Sequence, residues 1–349
     1  MFNRKHGFSE AFVRGCHSKR LSKRDYEELG RCDSLEDVKT YLESISDYSD
    51  YLRNVQPPVK PEDIVACCKR RHVKEFNTCQ HQASPPLSTF LEYLTYGHMI
   101  DNLMLALNGM LHGRSSEEIL DKCSPIGLFD SLPSVVISGN VQELYRLVLV
   151  DTPLAKYLSG AVSAADLDEL NVELIRNVLY KEYLQDFMKF CSTLDLRTNE
   201  LMKVRLDFMD NLEADRHAIR ITVNSFGTEL SKSVRTTLYT NFGTMHPDGF
   251  VRLATCETVD EVKQVLVTYP GFHEVAAKDD AHDVDRGLRI LELESCQRVL
   301  AEQFNLAAFY AFSKFQENEL SNLMWLTECI AQRQKSSLGE GLICIDTHL

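Results

Sequence analysis

A long internal repeat constrains this chain more than any other feature. The stretch LGRCDSLEDVKTYL at 29–42 returns without a gap as LATCETVDEVKQVL at 253–266, 224 residues later. Leu29, Cys32, Val38, Lys39 and Leu42 recur as Leu253, Cys256, Val262, Lys263 and Leu266. Asp33/Glu257, Ser34/Thr258, Leu35/Val259, Glu36/Asp260 and Asp37/Glu261 change only within a chemical type. Tyr26 and Tyr48 return at the same offset as Phe250 and Phe272. Each copy reads as the start of a helix. Ser34-x-x-Asp37 and Thr258-x-x-Glu261 have the form of a capping box, in which a hydroxyl accepts a backbone N–H and an acid three residues on reaches back. Leu35, Val38 and Leu42 then share one helical face, as do Val259, Val262 and Leu266.

A looser copy stands between them. NVQELYRLVLV at 140–150 offers Asn140 as cap, Glu143 three residues on, and Val141, Leu144 and Val148 as the stripe. Before it, Pro125-x-Gly127 parallels Pro247-x-Gly249. Three related units are expected, starting near 12, 115 and 231. Their spacing far exceeds the ~20–50 residues of a solenoid repeat, so each unit is nearly a small domain.

The remaining sequence reads as helix almost throughout, at 62–80, 88–112, 166–192 with Asp166 as cap, 200–226 and 288–335. The last of these is expected to be two helices with a break near 314–318. IRITVNSF at 219–226 is ambiguous, β-branched within helical flanks. Loops are expected at 54–61, 81–87, 121–140, 240–250 and 276–287, the last acidic and solvated, and the tail after Arg333 reads as a loose end. Long helices lead into the second and third units, whereas the final helix, about 316–335, has no unit after it. It could pack where the first unit lacks a leading helix. The resulting expectation is an all-α body of three pseudo-symmetric lobes around a central opening: 1–90, 91–208, 209–335 with a closing C-terminal helix, and a tail at 336–349.

Composition narrows the function. Net charge of −13 argues against nucleic acid, which needs clustered Lys and Arg, and against a passive role on an anionic membrane. Eleven unevenly spaced cysteines and no apolar leader read as reduced cytosolic thiols. The most apolar stretch, MIDNLMLALNGML, holds Asp101 and Asn102 and is too short to span a bilayer. No phosphate loop, Gly-x-Ser-x-Gly elbow or His-Glu-x-x-His motif occurs, and a dinucleotide fingerprint would need strands. Neither a catalytic set nor a cofactor is expected. Cys67, Cys68, His72, Cys79 and His81 are the best metal candidates, but adjacent cysteines without a second Cys-x-x-Cys fit no zinc finger. The plainer reading is buried thiols acting as small hydrophobes beside surface histidines, with no metal. Carboxylate runs such as Asp166/Asp168/Glu169 and Asp279/Asp280 read as solvated faces. Polar residues within apolar helices are more informative: Arg176 and Asn177, then Glu213, Asp215, Arg216, Asn224 and Glu229. They read either as internal ion pairs between packed helices or as the lining of an opening that meets a partner.

Several long motifs then carry a family resemblance: FLEYLTYGHMIDNLMLALNGMLHGRS (90–115), LVLVDTPLAKYL (147–158), DLDELNVELIRNVLYKEYLQDFMKFC (166–191), EADRHAIRITVNSFGTELS (213–231) and FYAFSKFQENELSNLMWLTECIAQR (309–333). In this order, with GFSEAFVRG near the start, they resemble subunit d of the eukaryotic V-type proton ATPases, a relative of the matching component of archaeal-type ATPases, over about residues 7–333. The resemblance implies a funnel of three lobes seated on the cytosolic side of a proton-carrying membrane ring and acting as a socket for the central stalk. It implies one non-catalytic copy in a heteromeric complex on acidified endomembranes (vacuole, lysosome, endosome), with no span of its own. Arg176, Glu213, Arg216 and Glu229 are the expected lining of the socket. Segments 67–79, 276–287 and 336–349 depart from the family pattern. A helical scaffold or adaptor of membrane traffic is the alternative, and a metal hydrolase built on 67–81 is a third reading.

Overall fold

The computed structural model describes residues 2–139, 143, 144, 146, 148, 150, 152–158, 172–194, 200–228, 230–277 and 281–345. Among them every long regular element is an α-helix, as expected of an all-α chain. In order these are α1 (Phe2–Ser18), α2 (Lys23–Arg31), α3 (Leu35–Ser44), α4 (Ser46–Leu52), α5 (Pro61–Gln82), α6 (Leu87–Leu111), α7 (Ser116–Lys122), α8 (Leu132–Ser138) and α9 (Ala155–Leu158). There follow α10 (Val172–Thr193), α11 (Glu200–Asn224), α12 (Lys232–Leu238), α13 (Asp248–Thr255), α14 (Val259–Leu266), α15 (His273–Ala276), α16 (Ala281–Ala301), α17 (Ala307–Ala331) and α18 (Leu338–Gly341).

Two compact units result. One joins Met1–Ser88 to Leu293–Leu349, and the other is Thr89–Glu292. The core of the first takes Tyr26, Leu29, Val38, Leu42 and Tyr48 from the first repeat and Leu323, Leu326 and Ile330 from α17. The core of the second takes Phe250, Leu253, Val262, Leu266 and Phe272 from the last repeat and Leu212, Ala218 and Ile219 from α11. The repeat is therefore structural as well as textual. Each α2–α3 or α13–α14 pair turns at its cysteine: Cys32 N–H donates to Leu29 O, and Cys256 N–H to Leu253 O, both at 3.1 Å. Each thiol donates one turn back, to Glu28 O at 3.7 Å and Arg252 O at 3.4 Å.

The caps differ in one detail. Ser34 Oγ accepts from Asp37 N–H at 3.2 Å, and Asp37 Oδ2 accepts from Ser34 N–H at 3.1 Å, closing the box. Thr258 Oγ1 accepts from Glu261 N–H at 3.3 Å, but the longer Glu261 reaches past the cap to Glu257 N–H at 2.7 Å. Of the middle copy, Leu144 and Val148 are buried as the stripe requires, while Asn140 and Val141 lie outside the described residues.

Several expectations shift. The break expected at 314–318 falls instead at 302–306, where Phe304 takes φ 63° and Asn305 Oδ1 caps α17 by accepting from Ala308 N–H at 2.7 Å. Residues 219–224 are helical, because Ile219 and Ile221 are core residues of α11 and burial overrides β propensity. The expected loop 121–140 contains α8, and 276–287 becomes helix from Ala281, with Asp283 in the favourable first turn and Val284 and Leu288 in the core. The tail is docked rather than loose through Cys344. Asn318 and Asn322, one turn apart on α17, both donate side-chain N–H to Ile343 O, at 2.9 and 2.8 Å. Asn322 Oδ1 accepts from Ile343 N–H at 3.0 Å.

Candidate functional site

The described polar residues picked out in the sequence fall on two helices. On α11, one turn sets Glu213 beside Arg216, which donates to it through Nε at 3.1 Å and Nη2 at 2.6 Å. Arg216 also faces Glu292 of α16 at 3.6 Å. This fork between planar groups is short and largely buried, and it ties two helices of one unit. Arg176 on α10 pairs instead with Asp101 of α6 at 3.3 Å and with Glu173 at 3.8 Å, stacking its guanidinium on the Tyr180 ring at 5.7 Å. Its partners stay exposed. Tyr180 packs in turn on His217 of α11, ring centroids 5.6 Å apart. Glu229 and Asp166 lie outside the described residues.

A stronger constellation was missed. Glu319, 1% exposed at the middle of α17, sits where five groups converge. Arg71 Nη2 of α5 donates to Oε2 at 2.9 Å, His72 Nε2 lies 3.9 Å from the same oxygen, Tyr48 O–H donates to Oε1 at 2.8 Å, and Leu21 N–H at 3.3 Å. The fifth is Arg20, whose guanidinium lies on the Phe315 ring at 4.0 Å and acts on Glu319 by charge. Burial opposes ionisation of Glu319, but Arg71, His72 and Arg20 outweigh it and hold the carboxyl well below its ordinary range. Burial likewise opposes the His72 imidazolium, yet Cys68 and Glu319 raise it to about 9. Gln316, one turn before, donates to Glu75 at 2.7 Å.

The last repeat has a counterpart. Asp215 of α11 accepts from Thr244 N–H at 2.9 Å and Met245 N–H at 3.1 Å. Met245 stands at the repeat offset from Leu21, so each long helix aims one carboxylate at the backbone that enters its repeat. Gly243 is required there: at φ 147° it passes so close that a Cβ would meet Asp215 and Phe250. Burial pushes Asp215 up to about 6, and the N–H groups of Met245 and Thr244 offset this only in part.

The proposed metal ligands do not converge. Cys67 donates to Tyr51 O at 3.2 Å, Cys68 lies 3.4 Å from His72 Nε2, and His72 is committed to Glu319. Cys79 is buried and its thiol is pushed up to about 12, while His81 is exposed on its own helix turn at Asn77 O. Among the described residues no three His, Cys, Asp or Glu side chains are grouped to hold a metal ion, and no helix is long and apolar enough to cross a membrane. Charged hubs of this kind fix helices against one another.

The family model described as ATP synthase (C/AC39) subunit matches residues 9–341. A protein of Oryza sativa subsp. japonica, "Probable V-type proton ATPase subunit d", is 44% identical over 347 residues, 99% of this chain and 97% of that protein. The chain belongs to the V-type proton ATPase subunit d family. Other members agree: "V-type proton ATPase subunit d1" of Arabidopsis thaliana is 42% identical over 98% of this chain, and "V-type proton ATPase subunit d" of Saccharomyces cerevisiae is 36% identical over 97%, each covered to 97% of its own length. The ATP synthase (C/AC39) subunit model matches through Gly341, so it takes in Glu319 and α18. The departure expected from 336 onward thus begins inside matched sequence.

Neither Glu319 nor Arg71 could be paired from sequence, because 248 positions separate them. The available signal was a set of amides and acids, Gln316, Glu319 and Asn322, recurring at helical spacing inside an otherwise apolar helix.

Proposed function

We propose that this chain is the non-catalytic rotor subunit of a V-type ATPase, coupling the central stalk to the proton-carrying membrane ring so that ATP hydrolysis drives proton translocation. Membership of the subunit d family over nearly the whole chain carries the reading. The chain acts as one copy in a heteromeric complex, held to the cytosolic face of acidified endomembranes by its partners. Three helical lobes surround an opening that receives the stalk, and the C-terminal helix closes on the first lobe. A torque coupler has to resist deformation. Close-packed helices have low compressibility, and buried ion pairs at Glu319 and Arg216 fix their register.

Of the described lining residues, Arg176 keeps the most accessible surroundings, and we assign it to a partner contact. Glu213 and Arg216 hold α11 to α16 behind that surface. The test is removal of this chain from cells, followed by proton uptake and ATP consumption in isolated membranes. Loss of ATP-driven acidification, restored by the intact chain, is expected, as is recovery of ring and stalk subunits with it from detergent extracts. Membranes that still pump in step with ATP consumption, or recovery of coat proteins alone, would overturn the proposal.

A further inference from the structure

The charge of α1 runs against that of the whole molecule. The chain carries −13, yet its first twenty-four residues hold seven Lys and Arg and one acid, Glu10. Glu10 is turned inward, accepting from Arg14 at 2.7 Å and from Phe304 N–H at 2.8 Å, and His6, Ser9, Val13 and His17 share its buried side. The outward arc carries Arg4, Lys5, Phe8, Ala11, Phe12 and Gly15, with Phe12 half-buried. Phe8 is 66% exposed and stacks on Phe12, ring centroids 6.4 Å apart. Phe304, 41% exposed at φ 63°, is tied to the same helix through its N–H. Arg4 and Lys5, both exposed, stand at the N-terminal end of the arc, and Lys19, farther along, pairs with Asp47 at 3.1 Å.

We propose that this face of α1 docks on an anionic lipid surface, Arg4 and Lys5 meeting headgroup anions while Phe8 and Phe12 enter the headgroup–acyl boundary. From Arg4 to Gly15 the arc contains no acid and no neutral polar side chain. Recognition of a protein partner uses directional hydrogen bonds around an apolar centre. A lipid surface asks only for positive charge and an apolar tip at the right depth, which is what the arc supplies. Ala11 and Gly15 keep the arc low between its projecting side chains. The acidic remainder is repelled by the same surface, so a small cationic face also sets the orientation of approach.

The experiment is co-sedimentation of the purified full chain with phosphatidylcholine vesicles, with and without phosphatidylserine, at low and high salt. Binding is expected only with phosphatidylserine and is weakened by salt. Each cation removed lowers partitioning about fivefold, so Arg4→Gln with Lys5→Gln loses roughly 25-fold. Phe8→Ser loses roughly tenfold with little change in salt dependence. Arg53→Gln, an exposed cation off the arc, leaves binding unchanged. Absence of phosphatidylserine-dependent binding, or equal losses in Arg53→Gln and the double variant, overturns the proposal. Capture by polyglutamate without vesicle binding assigns the face to an acidic polypeptide and overturns it too. The purified chain is used alone, so failure here leaves the rotor assignment untouched.

Discussion

The first and last repeats are two versions of one packing problem. In each, a long helix sends a carboxylate to the backbone entering the repeat: Glu319 to Leu21 N–H, Asp215 to Met245 N–H. Around Glu319 the repeat adds Arg71 and His72 as partners and Tyr48 as a donor. Around Asp215 the position of Tyr48 is Phe272, and N–H groups with the Thr244 side chain do all the satisfying. The second tyrosine behaves the same way: Tyr26 meets Asn322 of α17, and its counterpart Phe250 shares its core with Ala218 of α11. Cations turn a buried acid into a permanent anion; without them burial pushes the carboxyl up. Changes from Tyr to Phe and from Asn to Ala thus travel together, because a hydroxyl without its amide would be a buried orphan.

The comparison breaks most sharply at Glu319. Glu319→Gln leaves Arg20 buried without its anion and Arg71 with Glu75 alone at 3.3 Å, and should cost the first unit about 3–5 kcal/mol, against about 1–3 kcal/mol in the second for Asp215→Asn. Hydrogen exchange resolved by segment on the full chain would read both. Equal losses would mean that the cations contribute nothing at Glu319. Gly243→Ala forces a side chain into a left-handed, filled position and should cost roughly 2 kcal/mol or more by denaturant titration.

Exchange of the aromatic pair is the next test. Tyr48→Phe removes one donor from Glu319 and should cost about 1–2 kcal/mol, while Phe272→Tyr buries an unpartnered hydroxyl at about 1–3 kcal/mol. A neutral Phe272→Tyr would show that the last repeat holds an unused acceptor. Acidity separates the copies by sign. Glu319, held low, contributes stability above the ordinary glutamate range and loses it as pH falls through its depressed value. Asp215, raised to about 6, contributes below the ordinary aspartate range and loses it as pH rises through 6. Exchange protection near Met245 should therefore decline from about pH 4 to 6, where protection near Leu21 is already level because its own rise is finished at the ordinary glutamate range. Parallel slopes would sink the distinction. Smallest are the caps: Ser34→Ala and Thr258→Ala should each cost about 1 kcal/mol, measured as melting shifts.

What could be read from sequence follows contact range. The repeat and its caps rest on neighbours at most a few positions apart, and local chemistry announces them. Helix positions were legible because Pro61 and apolar periodicity mark them. The break at 302–306 was not, since it depends on Asn305 capping and on Glu10, far away in the chain, accepting Phe304 N–H. The Glu319 hub and the docked tail were hidden for the same reason. Asn318 and Asn322 show their purpose only when Ile343 arrives.

That late arrival bears on how the molecule is made. Residues 1–88 leave the ribosome long before Leu323, Leu326 and Ile330, which fill their core, have been translated. Thr89–Glu292, the other compact unit, has been translated by then. Nascent chains usually settle from the N-terminal end. Here the opening segment completes its core only once α17 has been made.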